Sequence, residues 1–112
     1  MFTLIIQPEA EYDIQQHFML YERLVPGLGR DFLSCVEEAL ERIRCFPLIY
    51  KLAHDDFRLA SIRRFPYRIL YFIDGDRTIV TAVFHVRNDP DAWVSHSNNQ
   101  VNSKEPAIYA FK

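Results

Sequence analysis

The sequence predicts an α+β domain of order β-α-α-β-β-β, with a helical hairpin packed on one face of a small, mostly antiparallel sheet. Three observations predict it. Two strand-like runs, Tyr67–Ile73 and Thr78–Val86, flank the turn signal Asp74-Gly75-Asp76. Two apolar stripes at helical spacing lie upstream, separated by Pro26-Gly27, and a short apolar run precedes both. The 112 residues are enough for one domain with a real core, and 49% hydrophobic with 25% charged residues is a folding composition.

The first run, Phe2–Gln7, alternates Phe2, Leu4 and Ile6 against Thr3, Ile5 and Gln7, and reads as a strand that Pro8 ends. From Glu9 the apolar set is Ala10, Ile14, Phe18, Tyr21 and Leu24 or Val25, a stripe on one side of a helix. Pro26-Gly27 stops it, and Gly27 and Gly29 let the chain reverse. A second helix is predicted from about Leu28 to Cys45, with Phe32, Cys35 or Val36, Ala39 or Leu40, Ile43 and Phe46 as its stripe. Asp31, Glu37, Glu38, Glu41, Arg42 and Arg44 form its solvated side. A short connection makes the two helices an antiparallel hairpin whose apolar slab covers one sheet face.

Leu48–Asp56 reads as loop and Phe57–Phe65 as a weaker strand, with Pro66 at a junction or edge. Gly75 supplies the positive φ of a tight turn between the two strong strands. These strands are apolar on both parities, Ile69, Tyr71 and Ile73 against Leu70 and Phe72, so the sheet needs cover on both faces. The chain turns again at Asn88-Asp89-Pro90. Residues 1–94 form the domain and 95–112 a tail expected to be mobile or ordered by a partner. Within it Ser95–Lys104 is polar, and Ala107–Phe111 reads as a last edge strand or a partner-ordered segment.

Net charge is −2 and the pI about 6.0, which argues against a protein that coats nucleic acid, because such binding comes largely from neutralising phosphates. The arginines Arg58, Arg63, Arg64, Arg68, Arg77 and Arg87 nevertheless all fall in the second half. The N-terminus has no basic region before its short apolar run, and no run is long enough to span a membrane, so a cytoplasmic protein is expected. Cys35 and Cys45 fall on one helix and read as buried free thiols. His17, His54 and His96 have no ligand spacing, and three glycines leave no phosphate-cradling loop, so neither metal nor cofactor is expected.

The element order, the run FPYRILY at residues 65–71 and the closing HVRNDPDAW at 85–93 resemble the RelE/ParE superfamily of type II toxins, over about residues 2–94. Within it the sequence is most similar to the ParE, or plasmid-stabilisation, branch. The resemblance implies a toxin held inactive by a cognate antitoxin whose C-terminal segment lies between helices and sheet and along the strands. A ParE-like toxin would block DNA gyrase. A RelE-like toxin would enter the ribosomal A site and cut mRNA.

RNA cleavage through a 2′-hydroxyl needs groups that take and give a proton and cations for the developing phosphorane charge. By resemblance, Arg68 and Arg87 match the family's two arginines. Trp93 stands where a ribonuclease member has tyrosine, and Leu59 and Ser61 stand where active ribonucleases carry lysines. Indole does not exchange a proton in this range. His85 is a candidate base, with a hydrogen-bonded structural residue as the alternative. Three readings follow: a gyrase-binding toxin that is no enzyme, a ribosome-dependent endonuclease using Arg68, His85 and Arg87, or a non-toxic antitoxin-binding homologue. Arg63, Arg64, Arg68, Arg87 and Trp93 are the expected partner-binding set. Their alternatives are edge arginines paired with helix carboxylates, and a Trp93 ring that caps the core. Tyr67 and Tyr71 share a strand parity and are expected to line the core.

Overall fold

The structure is a computed structural model and describes residues 2–88. Its elements are β1 (Thr3–Ile6), α1 (Pro8–Leu24), α2 (Leu28–Cys45), β2 (Leu52–His54), β3 (Phe57–Ser61), β4 (Tyr67–Asp74) and β5 (Arg77–His85), followed by a 3-10 turn at Val86–Asn88. The five strands form one sheet in the order β1-β5-β4-β3-β2. β1 runs parallel to β5, and the other neighbours are antiparallel. The predicted helical hairpin on a mostly antiparallel sheet is the observed fold, with one strand more than expected.

Turn chemistry fixes the centre of the sheet. Asp74 pairs with Arg77, which leaves Gly75 and Asp76 as a two-residue loop, and Gly75 takes φ 67°. Helix α1 begins at Pro8, a position where a missing N–H costs nothing, and Glu9 and Glu11 suit the positive end of its dipole. It turns Ala10 and Asp13 into the interior, with Ile14, Phe18 and Tyr21 packed against the core. At the C-terminal end of the helix Leu24 and Val25 are exposed, so the expected stripe stops at Tyr21.

Helix α2 buries Phe32, Cys35, Val36, Ala39, Leu40 and Ile43, as its spacing predicts. Phe46 departs from the stripe and is 61% exposed, because it is the C-cap residue and the chain has left the helix there. Cys45 is exposed rather than buried. It sits two residues past Ile43, about 200° round the helix and so on the opposite side.

The helix-facing side of the sheet supplies Ala60, Tyr67, Ile69, Tyr71, Val80 and Val83 to the same core. Tyr67 and Tyr71 line it as expected. The Tyr71 hydroxyl donates to the Pro47 carbonyl at 2.7 Å, and burial above all pushes its pKa up to about 12. The Phe32 ring lies 5.3 Å from Tyr21, 5.3 Å from Phe65 and 5.1 Å from Tyr67, centroid to centroid, and joins α1, α2 and the sheet.

Two boundaries differ from expectation. Leu48–Asp56 contains the short strand β2, which pairs with β3 through Leu52 and Arg58. The predicted strand Phe57–Phe65 ends at Ser61, because residues 62–66 form the turn into β4. The Ile62 N–H meets the Tyr67 carbonyl, the Tyr67 N–H meets the Phe65 carbonyl, and Arg64 adopts φ 73°. Among the described residues no helix is long and apolar enough to cross a membrane, and no group of His, Cys, Asp and Glu could hold a metal ion. Trp93, Ser95–Lys104 and Ala107–Phe111 lie outside the described residues.

Candidate functional site

The second face of the sheet, opposite the helices, follows from strand register. Leu70 pairs with Ala82 but Tyr71 pairs with Val80, so Thr81 is the extra residue of a β-bulge on β5. The Thr81 hydroxyl donates to the Leu70 carbonyl at 3.3 Å. The bulge reverses side-chain parity. Val80 and Val83 both point at the helices, while Ala82 and Phe84 share the second face with Leu70. Phe57 and Leu59 of β3 pack against these three, and the Phe57 ring lies 5.4 Å from that of Phe72.

Arg68 stands in this apolar field. It pairs with Ser61 on one side and Phe84 on the other, and Leu59 is opposite Leu70 in the next rung but one. The positions where the resemblance would put lysines therefore carry a branched aliphatic side chain, Leu59, and a hydroxyl, Ser61, on the same face as the arginine. Around Arg68 a face built this way offers mainly apolar area, with Arg77 at its far, hairpin end. It offers no second cation among the described strand positions around Arg68, and a phosphorane needs several.

His85 is on the other side of the sheet. It pairs with Tyr67, their rings lie 5.3 Å apart, and its Nδ1 accepts the Arg87 backbone N–H at 3.0 Å. Burial, and then the Arg87 charge, lower its pKa. The strand pleat thus separates His85 from Arg68 by the thickness of the sheet. Arg87 is exposed in the 3-10 turn at the strand end. Arg63 and Arg64 belong to the turn before β4 and reach back to α2. Arg63 Nε lies 3.0 Å from Glu38, and Arg64 lies 3.8 Å from Asp31 with its guanidinium 5.6 Å above the Phe65 ring. Of the five expected partner-binding residues, two pair with helix carboxylates, Arg68 and Arg87 stand apart from them, and Trp93 is outside the described residues.

A polar group that the sequence reading passed over lies between α1 and the sheet. Asp13, fully buried, accepts the Val83 N–H at 3.1 Å, one residue beyond the bulge pair. One helical turn later His17 Nδ1 and the Tyr67 hydroxyl are hydrogen-bonded at 3.0 Å, with the rings 4.6 Å apart. The signal was present in the spacing, since 10, 13, 17 and 21 continue the apolar stripe. Burial, with Tyr21 next, raises the Tyr67 pKa, and burial, with His85 next, lowers that of His17 to about 4. The proton therefore stays on the phenol, and the imidazole is neutral.

This has a measurable consequence. An unfolded chain protonates His17 near 6.5. Between that value and about 4 the unfolded state binds more protons, so the contribution of His17 is fully present above about pH 6.5 and is lost as pH falls toward 4. The half-buried ring is partly screened, and a loss of about 1–2 kcal/mol is expected over this window. Urea unfolding at several pH values checks it. His17→Gln keeps an acceptor for Tyr67 and removes the titration, while Asp13, His85 and Tyr21 remain common to both chains. The variant should show a flatter profile, and an unchanged slope would refute the assignment.

The family described as "ParE toxin of type II toxin-antitoxin system, parDE" matches residues 4–90. None of the curated protein sequences compared with the chain matches it. Among solved structures, a chain of the chromosomal ParDE toxin-antitoxin system from P. aeruginosa superposes with a TM-score of 0.60 at 14% identity, covering 76% of this chain and 96% of that one. A chain of the RelBE2 toxin-antitoxin complex from Mycobacterium tuberculosis does so with a TM-score of 0.50 at 25% identity, covering 75% and 96%. With the family match running from β1 through the strand-end turn that holds Arg87, this chain belongs to the ParE toxin family of type II toxin–antitoxin systems.

Proposed function

We propose that this chain is a toxin that acts by binding DNA gyrase, is neutralised by a cognate antitoxin, and cuts no RNA. The observation that carries the reading is the apolar second face around Arg68. With Leu59 beside the buried Leu70, Ala82 and Phe84, this face is apolar around its arginine, and apolar area with an arginine suits a protein partner better than RNA. An RNA-cleaving site would need clustered cations and a proton acceptor beside the phosphate, and His85 faces the helices instead. Arg68 and Arg87 are the partner-facing arginines in this reading. Arg63 and Arg64 serve the antitoxin only by exchanging their α2 carboxylates for its acidic side chains. The solved ParDE and RelBE2 neighbours, both toxin–antitoxin systems by name, support an antitoxin partner here.

Expression from a tightly controlled promoter, paired with in vitro supercoiling by purified gyrase, tests it. The expected result is growth arrest with filamentation and inhibited supercoiling, relieved by the cognate antitoxin. Messages cut on ribosomes with supercoiling untouched would overturn it in favour of a RelE-like nuclease. Antitoxin binding without arrest would overturn it in favour of a non-toxic homologue.

A further inference from the structure

Among the described residues β2 is the last strand of the sheet and pairs with β3 alone, so its outer edge is open. The pairing shifts between Leu52 and His54, which leaves Ala53 without a partner on β3. This three-residue edge sits between exposed charges of opposite sign, Lys51 before it and Asp55-Asp56 after it. Asp55 lies 3.5 Å from His54, whereas Lys51 and Asp56 enter no ion pair among the described residues. Beside the edge lie Phe46, Leu48, Ile49 and Leu52, each more than half exposed. Leu52 is on the helix side of the sheet, opposite Arg58, which is opposite Tyr71. The loop that carries the other three is held to that side. The Tyr71 hydroxyl donates to the Pro47 carbonyl, and Arg58 Nη1 donates to the Tyr50 carbonyl at 2.5 Å. An open edge, an exposed apolar patch and two unpaired opposite charges thus meet at one end of the sheet.

We infer that this edge pairs with the same edge of a second copy of the chain, antiparallel about a two-fold axis. Charge complementarity selects that occupant. A lysine at a sheet edge ordinarily keeps other strands away. When two identical strands run antiparallel, the residue before one meets the residues after the other. Lys51 of each copy then faces the Asp55-Asp56 turn of its mate, and the two-fold makes the contact twice. A parallel pairing would set lysine against lysine and aspartate against aspartate, so the charges also choose the direction. The shift at Ala53 and the length of three residues make the ladder itself weak. The apolar quartets come to the same side of the seam, and their exposed area supplies the attraction that so short a ladder does not. The two-fold stands perpendicular to the sheet. One sheet therefore runs through both copies, with both helical hairpins on one side and both second faces on the other. A dimer of this kind presents its second face twice, on one side, to a partner that has two sites to offer.

Sedimentation equilibrium of the isolated full chain, from micromolar to millimolar concentration at low salt, tests this. Neither antitoxin nor gyrase is present, so the outcome is separate from that of the target assays. A monomer–dimer equilibrium is expected. Lys51→Asp and Asp56→Lys should each raise the dimer dissociation constant about tenfold, because each replaces two attractive contacts across the seam by two repulsive ones. The double variant Lys51→Asp, Asp56→Lys exchanges the two signs and should recover most of the loss. All three substituted chains should unfold at the wild-type temperature, since both positions are exposed and outside the core. A chain that stays monomeric through the whole series would overturn the inference. So would a dimer that ignores both single substitutions, since it would be built on another face, and so would a double variant no better than the single ones.

Discussion

Phe32→Ala is expected to destabilise the domain by about 3–5 kcal/mol, the range for removing a fully buried aromatic ring. Phe32 has no solvent exposure, and its ring is bordered by Tyr21 and His17 from α1, Phe65 from the turn before β4, and Tyr67 from β4 itself. These neighbours belong to three separate segments, so the cavity cannot close by the movement of one of them. Small domains hold only about 5–15 kcal/mol in total, and a loss of this size lowers Tm by roughly 15–30 °C. Thermal and urea unfolding followed by circular dichroism measure it. Phe32→Leu, which keeps much of the volume, should cost about 1–2 kcal/mol. If alanine cost less than about 1 kcal/mol, the helical hairpin would have to be held to the sheet by something other than this aromatic cluster.

The elements that could be read in the sequence are those whose signal is local. The stripe of α2 gave its buried face from Phe32 to Ile43, and Asp74-Gly75-Asp76 gave the turn because a two-residue loop needs a positive φ that Gly75 supplies. Pairing-dependent features were not legible. Strand β2 is only Leu52, Ala53 and His54, too short for a period, and exists because β3 offers it an edge. The end of β3 depends on Arg64 at φ 73°, a conformation that no glycine announces and that the Asp31 ion pair and the Phe65 ring help to hold.

Which of the candidate residues share a face was not legible in the sequence. Sequence placed Arg68 and His85 on neighbouring strands, and plain alternation cannot say which residues share a face once a bulge intervenes. Thr81 shifts the parity, so Ala82 and Phe84 come to the second face beside Arg68 while His85 turns toward Tyr67 and His17. Asp13 and His17 were not read as buried because charged and titratable residues on an amphipathic helix are ordinarily read as its solvated side. Their positions within the stripe at 10, 13, 17 and 21 were the available clue.

Gly29→Val is expected to cost about 2–3 kcal/mol, although valine is a better helix former than glycine. The reason is the close crossing of the two helices. A Cβ at residue 29 would lie 2.5 Å from the Phe18 carbonyl oxygen and 2.8 Å from Glu22 Cβ. The first of these is backbone inside α1 and cannot swing aside, so α2 must lift away. Lifting it also stretches the two hydrogen bonds by which the Glu22 carboxylate accepts the Gly27 N–H at 2.8 Å and the Gly29 N–H at 2.9 Å. Those bonds satisfy donors at the start of α2 that a side-chain cap would otherwise take, and Gly27 has none to offer. Gly27→Ala separates the two roles of glycine here. Gly27 sits at φ 91° with open space around it, so alanine meets only backbone strain of about 1–2 kcal/mol. Gly27→Asn, which tolerates that conformation better, should recover part of the loss. No comparable rescue is expected at Gly29, where the penalty is contact and every side chain begins with the same Cβ. Equilibrium unfolding of the four chains, wild type and three variants, orders them. A Gly29→Val protein as stable as wild type would mean that the helices do not cross this closely.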